Sequence, residues 1–262
     1  MMRNKLFAVL ISIALLAMLL GCAGEQPDVV LFTPEAAEPA VEIQPQDAPE
    51  TETQGDAVEI ESVPCDLPLP GPPERTVILC EKFDDNRSEL EVERQDNPNA
   101  KYTSAITDGK FVVDYAAKGF EGYKRTTYTW FTIGEGRNFA LSLKGLMDSA
   151  FQDVSWGIAF RRKGDNFFLF SILNTGEYRF EIYENGGWDT LITTRIHNGI
   201  RLGEENSVRI EVAGRDLYFS INDVLVNQFS GAVLDGDEIQ LVVSAKEGAS
   251  ATYTFDDVVL QR

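Results

Sequence analysis

Histidine is almost absent: the 262-residue chain has one, His197. That excludes a two-histidine HExxH metal site and leaves a Ser-His-Asp arrangement a single histidine to draw on. Cysteine is scarce, with Cys22, Cys65 and Cys80 alone and no CxxC spacing, which argues against a cysteine–histidine zinc site. No P-loop and no GxGxxG run is present, so the usual phosphate cradles are missing. Basic residues are few, 23 Lys+Arg against 42 Asp+Glu, for a formal charge of −19. Nucleic acid wants a basic face, as does electrostatic docking on anionic lipid, so neither is an expected partner. No segment sustains a 3.6-residue apolar period beyond the short Ser88–Arg94. Proline all but vanishes after residue 75, where Pro98 is one of 11.

What is present divides the chain in three. Arg3 and Lys5 precede the uncharged apolar run Leu6–Leu20, the pattern of a secretory signal. The run is shorter than the about 20 residues a spanning helix needs. It ends Leu19-Leu20-Gly21-Cys22, which resembles the bacterial lipobox: an aliphatic residue three before the cysteine and a small residue just before it. The resemblance implies cleavage after Gly21 and lipidation of Cys22, so that residues 1–21 are a lipoprotein signal peptide and the mature protein is anchored to the membrane, extracytoplasmic. An ordinary signal peptide or uncleaved anchor with a chance cysteine is the alternative. With Cys22 lipidated, two cysteines remain in an oxidising compartment. A Cys65–Cys80 disulfide, closing a loop of about 15 residues, would staple the end of the linker to the first strand; two free thiols are the other possibility.

Residues 22–75 read as an acidic, Pro-rich disordered linker. Between Ala23 and Arg75 there are 13 acids and one base, and Phe32 is the only aromatic. Such a composition buries too little apolar surface to offset its ordering entropy, and proline with like-charge repulsion extends it into a spacer. Residues 76–262 are different: all three tryptophans and all eight tyrosines lie there. About 185 residues suffice for one well-buried domain.

That domain reads as strands throughout: Thr76–Phe83, Lys110–Tyr115, Tyr123–Ile133, Phe139–Met147, Val154–Arg162, Phe167–Leu173, Glu177–Tyr183, Trp188–Ile196, Ser207–Val212, Leu217–Ile221, Leu225–Phe229, Glu238–Ala245 and Thr252–Leu260. Turn pairs such as Asp108-Gly109, Asn185-Gly186 and Asn222-Asp223 punctuate them. Three-residue turns at Lys163-Gly164-Asp165 and Asn174-Thr175-Gly176 place Phe160 opposite Phe168, Ile158 opposite Phe170, Trp156 opposite Ile172, Phe170 opposite Phe180 and Phe168 opposite Ile182. One face then carries Trp156, Ile158, Phe160, Phe168, Phe170, Ile172, Tyr178, Phe180 and Ile182, a core face. The other carries Gly157, Ala159, Arg161, Phe167, Leu169, Ser171, Glu177, Arg179, Glu181 and Tyr183. Small in the middle and polar or aromatic at its edges, it suits a shallow groove; an ordinary solvated sheet face is the plainer reading.

Trp156-Gly157-Ile158-Ala159-Phe160-Arg161, Asn166-Phe167-Phe168-Leu169-Phe170 and Gly176-Glu177-Tyr178 resemble the central strands of concanavalin A-like lectin/glucanase jelly rolls, and look most similar to the laminin-G-like and 3-keto-disaccharide-hydrolase-like branches. Asn206–Val212, Leu217–Asn222 and Phe255–Val258 fit the same pattern. The resemblance implies an all-β, antiparallel jelly-roll β-sandwich and, as those folds commonly have, a glycan site on the sheet or in its edge loops. A fold does not fix a function.

For an enzyme, glycosidases need two carboxyls flanking the bond, which glucanases of this fold carry as ExDxxE or a close variant. That motif is missing here. Glu177 and Glu181 share a face, but the arginine between them favours charged carboxylates and works against a general acid. His197 sits beside Asn198-Gly199 in an expected surface turn. For a binding module, aromatic rings stack on sugars while polar groups orient them; the candidates are Arg161, Phe167, Arg179, Glu181, Tyr183 and Trp188, with Trp188 in the loop from Glu184 the best placed, although Trp130 and Trp188 would also serve a core. Asp84 and Asp85 end the first strand, and Asp256 and Asp257 lie in the last. Jelly-roll termini often run side by side, so these four carboxylates are candidate ligands for a structural calcium, against the alternative of four solvated aspartates. The expectation is a non-catalytic module that binds a glycan or another envelope component. A glycoside hydrolase or lyase with an unlocated site, and an adhesion domain without a small ligand, are the alternatives.

Overall fold

The computed structural model describes residues 64–67, 75–84, 90, 92–118, 138–232 and 234–262, and the backbone of 123–132. These all belong to the compact unit Ala57–Arg262. The signal segment, Cys22, most of the linker, Asp85 and the Trp130 side chain lie outside the described residues.

Among the described residues the secondary structure is strand alone, in fifteen segments: β1 Val77–Glu81, β2 Arg94–Asp96, β3 Ala100–Thr107, β4 Lys110–Ala117, β5 Tyr123–Thr132, β6 Phe139–Asp148, β7 Val154–Lys163, β8 Asn166–Leu173, β9 Glu177–Glu184, β10 Gly187–Ile196, β11 Asn206–Ala213, β12 Asp216–Ile221, β13 Val224–Ser230, β14 Glu238–Lys246 and β15 Ser250–Gln261. They build two antiparallel sheets. One runs β13-β12-β11-β6-β15-β4-β3-β2, with β1 also on β15; the other runs β10-β9-β8-β7-β14-β5. Two strands, β2 and β3, are additions to the sequence reading. The run of β3, Ala-Lys-Tyr-Thr-Ser-Ala-Ile-Thr, buries only the small Ala100 and Ser104 fully, so its apolar signal is faint.

The hairpin register follows from turn chemistry and alternation. Asp108-Gly109 and Asn185-Gly186 all have positive φ, from 53° to 82°, as a two-residue type I′ hairpin requires. Phe160 faces Phe168, Ile158 faces Phe170 and Trp156 faces Ile172; Phe170 faces Phe180 and Phe168 faces Ile182. All nine residues expected on the core face are buried. Across the sandwich, Phe170 stacks on Phe219 of β12 at 4.6 Å, and Trp156 meets Phe255 of β15 edge-on at 5.6 Å. Gly145 of β6 makes room for that indole: a Cβ there would stand 2.6 Å from Trp156. Each large apolar side chain so enclosed stabilises the fold by about 1.5–3 kcal/mol.

The β7–β8 hairpin differs from expectation in one respect. Lys163 pairs with Asn166, so the turn has two residues, and the extra residue sits in a bulge between Phe160 and Lys163. Arg161 occupies that bulge with φ 52°. A bulge breaks the alternation of facing side chains, so Arg161 turns away from the outward face. It is 3% exposed, and its guanidinium donates to the carbonyls of Gly214 at 2.5 Å and Leu234 at 3.1 Å.

The first and last strands of the domain meet in the nine-stranded sheet. β1 lies on the C-terminal half of β15, Glu81 facing Val258, and Thr76 and Arg262 exchange both backbone hydrogen bonds at 2.8 Å. The Cys65–Cys80 disulfide is formed, with a Cα separation of 5.6 Å. It draws Leu67 onto Val77, Cys80 and Val259.

Candidate functional site

The outward face of the six-stranded sheet gathers most of the sequence-predicted binding residues. Phe167 of β8 pairs with Tyr183 of β9, and Tyr183 with Trp188 of β10, so the three rings occupy one row across neighbouring strands. Phe167 stacks on Tyr183 at 5.5 Å, Trp188 meets Phe167 edge-on at 5.5 Å, and Tyr183 lies 5.0 Å from Trp188. Such contacts orient aromatic rings beyond what burial alone does. Trp188 remains 39% exposed, held at the rim by the tight turn that precedes it.

The next row places Glu181 between Leu169 of β8 and Thr190 of β10. The Arg179 guanidinium Nε lies 3.1 Å from the Glu181 carboxylate, with both side chains about seven-eighths covered. Beyond them the face is small and apolar: Ala159, Leu169 and Val242 form a buried cluster of their own, with Phe167 against its edge. Gly157 permits a close backbone approach, since a Cβ there would stand 2.3 Å from the Phe170 carbonyl oxygen. The arrangement is an aromatic corner at the rim with a mostly covered ion pair beside it, and the middle of the face, expected as a shallow groove or a solvated surface, is buried, Ala159, Leu169 and Val242 being at most 2% exposed. Arg161, expected on this face, is absent from it for the reason given by its bulge.

The carboxylates of the face each have a polar partner. Glu181 is salt-bridged to Arg179, and Glu177 accepts a hydrogen bond from the Thr175 hydroxyl at 2.5 Å. His197 is half-buried rather than at the surface. Its ring stands edge-on to Tyr178 at 6.4 Å, and its backbone closes the turn to Ile200 and bonds to Gly176.

The strand pairing brings the described aspartates of the first and last strands to one region, and lysines come with them. Asp257 is salt-bridged to Lys144, and Asp256 lies 3.5 Å from Lys110. Lys82 binds Asp66 at 2.5 Å, which raises its pKa, with smaller contributions from the charges of Asp84 and Asp257. Burial pushes the Asp256 carboxyl up, and Lys110 and the Asp257 amide oppose the shift. Among the described residues no three metal-ligating side chains gather, so Asp84, Asp256 and Asp257 do not by themselves supply the six to eight oxygens calcium takes.

Three cavities, of about 440, 290 and 270 Å³, all open on the nine-stranded sheet. The lining of the first brings together β3, β4, β6 and β15, strands far apart in the chain, whereas the third is lined by the consecutive strands β11, β12 and β13, and the second includes Asp257.

No family model and no curated protein matches the sequence. Solved structures do match in fold. An endo-β-galactosidase from Clostridium perfringens that releases GlcNAcα1-4Gal superposes with TM-score 0.53 at 10% identity, covering 73% of this chain and 64% of that one. A laminarinase from Flavobacterium sp. UMI-01 gives TM-score 0.52 at 10% identity, covering 71% and 100%. The catalytic domain of an endo-1,3-β-glucanase (laminarinase) from Thermotoga petrophila RKU-1 gives 0.50 at 10% identity, covering 72% and 98%. The fold is the concanavalin A-like jelly roll. Identities this low speak for the fold and not for the activity.

Proposed function

We propose that this jelly roll is a non-catalytic carbohydrate-binding module, exported and held to the outer side of a membrane through a lipid on Cys22, with residues 22–75 as its spacer. The observation that carries the reading is the aromatic corner of Phe167, Tyr183 and Trp188 beside the Arg179–Glu181 pair. Rigid rings give a sugar contact area at low entropic cost, and the flanking ion pair leaves about one-eighth of each side chain open to its hydroxyls. The fold neighbours named above are glycan-cleaving enzymes, which supports a saccharide as the ligand class. A glycosidase requires two carboxyls poised around a bond, and on this face the acids are engaged with Arg179 and Thr175.

A glycan array probed with the full-length protein in detergent tests the proposal. Binding that is lost in Trp188→Ala and Tyr183→Ala supports it. Hydrolysis of an arrayed glycan by the wild-type protein overturns the non-catalytic reading. The anchor is tested separately: Cys22→Ser moves the protein from the detergent phase to the aqueous phase, and continued partition into detergent refutes lipidation.

A further inference from the structure

We propose a second saccharide site on the opposite side of the sandwich, in the 440 Å³ groove of the nine-stranded sheet. It is independent of the first, since the two share no residue. The volume lies within the about 300–1,000 Å³ typical of small-molecule sites.

The floor is built by register. Thr252 of β15 faces Asp114 of β4 on one side and Asp148 of β6 on the other. Neighbouring strands lie about 4.8 Å apart, so the two carboxylate-bearing positions stand roughly 10 Å from each other across the groove. Ala116, between Lys101 and Ser250 in the next row, leaves the space that a larger residue would fill. The Thr252 hydroxyl donates to Asp114 at 2.7 Å, which fixes that carboxylate and leaves its other lone pairs to accept from a ligand.

One wall is an aromatic ring on a stiff loop. Phe151, in the β6–β7 turn, is 46% exposed and lines the groove. Its backbone is held: its N–H donates to Ser149 Oγ at 3.0 Å, and its carbonyl accepts from Asn174 Nδ2 at 2.6 Å. Ser149 in turn donates to the Ser250 carbonyl at 2.6 Å. An apolar ring kept in water by a loop this well tied is pre-organised, so a ligand that stacks on it meets little ordering cost. A ring face opposed by carboxylates and a hydroxyl suits a pyranose, whose apolar face stacks while its hydroxyls donate. The charge selects further. Asp114 and Asp148 outnumber Lys101 in the lining, which disfavours uronate or sulfated sugars and favours neutral or amino sugars.

The test uses the full-length protein in detergent on an array of immobilised neutral β-glucan, galactan, mannan and chitin oligosaccharides, with polygalacturonate as the anionic comparison. Phe151→Ala and Asp148→Asn are both exposed-residue changes, checked by an unaltered thermal melt. Each is expected to weaken binding of a neutral glycan at least ~10-fold, as loss of a central aromatic or polar contact does, with that binding kept in Trp188→Ala. Neutral-glycan affinity unchanged in both groove variants overturns the second site while leaving the first standing. No bound glycan in the wild-type protein overturns both, and polygalacturonate binding abolished by Phe151→Ala overturns the charge argument.

Discussion

Replacing Arg161 with alanine removes a guanidinium that joins the β7–β8 bulge to two segments of the fold, the β11–β12 turn at Gly214 and the connection to β14 at Leu234. Each hydrogen bond from a charged donor is worth about 1.5–3 kcal/mol. The desolvation of a side chain only 3% exposed takes part of that back, so the expected loss is ~2–4 kcal/mol. For a domain of this size each kcal/mol shifts the melting temperature by about 2–4 °C, which puts the drop at roughly 5–15 °C. Glycine at the same position loses the same contacts but relieves the left-handed backbone at φ 52°, worth about 1 kcal/mol. Arg161→Gly therefore melts above Arg161→Ala. Urea and thermal unfolding followed by near-ultraviolet circular dichroism measure both. An alanine variant as stable as wild type refutes the anchoring role, and a glycine variant less stable than alanine refutes the bulge geometry.

Three further outcomes follow from the same contacts. Cys80→Ser, or reduction of the Cys65–Cys80 bond, lowers stability by about 3 kcal/mol in the loop-entropy account; a melting point unchanged by reductant contradicts it. Because Asp256 and Asp257 have lysine neighbours, adding a chelator leaves the melting temperature where it was, and a clear fall would reveal a resident divalent cation. Burial holds the phenols of Tyr253 and Tyr115 well above their ordinary pKa of 10.0. The folded state then retains protons that the unfolded state releases, so above pH ~10 stability falls by about 1.4 kcal/mol per pH unit for each such tyrosine. Absorbance at the phenolate band checks this: both rings ionise only on unfolding, and Tyr253→Phe, which also loses the bond to the Ser244 carbonyl, flattens the slope.

The sequence reached furthest where physics is local. From Trp156 to Ile182, strict alternation and two short turns determine the register, and every expected facing pair is found. The same alternation put Phe167 and Tyr183 on one face, and the turn at Asn185-Gly186 brought Trp188 beside them. The bulge at Arg161 stayed hidden because a three-residue turn, or a two-residue turn plus one bulged residue, gives the same partner to Phe160. Only the folded chain shows which residue leaves the row. β3 went unread because its buried positions, Ala100 and Ser104, are small and leave no alternation of large apolar side chains. The groove at Asp114, Asp148 and Thr252 was illegible for another reason: it depends on β15 lying between β4 and β6, a pairing across more than a hundred residues that no local pattern announces.

The outward face of the six-stranded sheet is the centre of the functional account, and glycan binding by full-length Trp188→Ala set against wild type probes it most directly. The account predicts that the wild-type protein retains a glycan on the array, that the substitution loses at least ~10-fold in affinity for a glycan held at the aromatic corner, and that the domain stays folded, its melting temperature lowered only by the lost ring contacts with Phe167 and Tyr183. Equal affinity of the two proteins for every glycan that the wild type retains would contradict it.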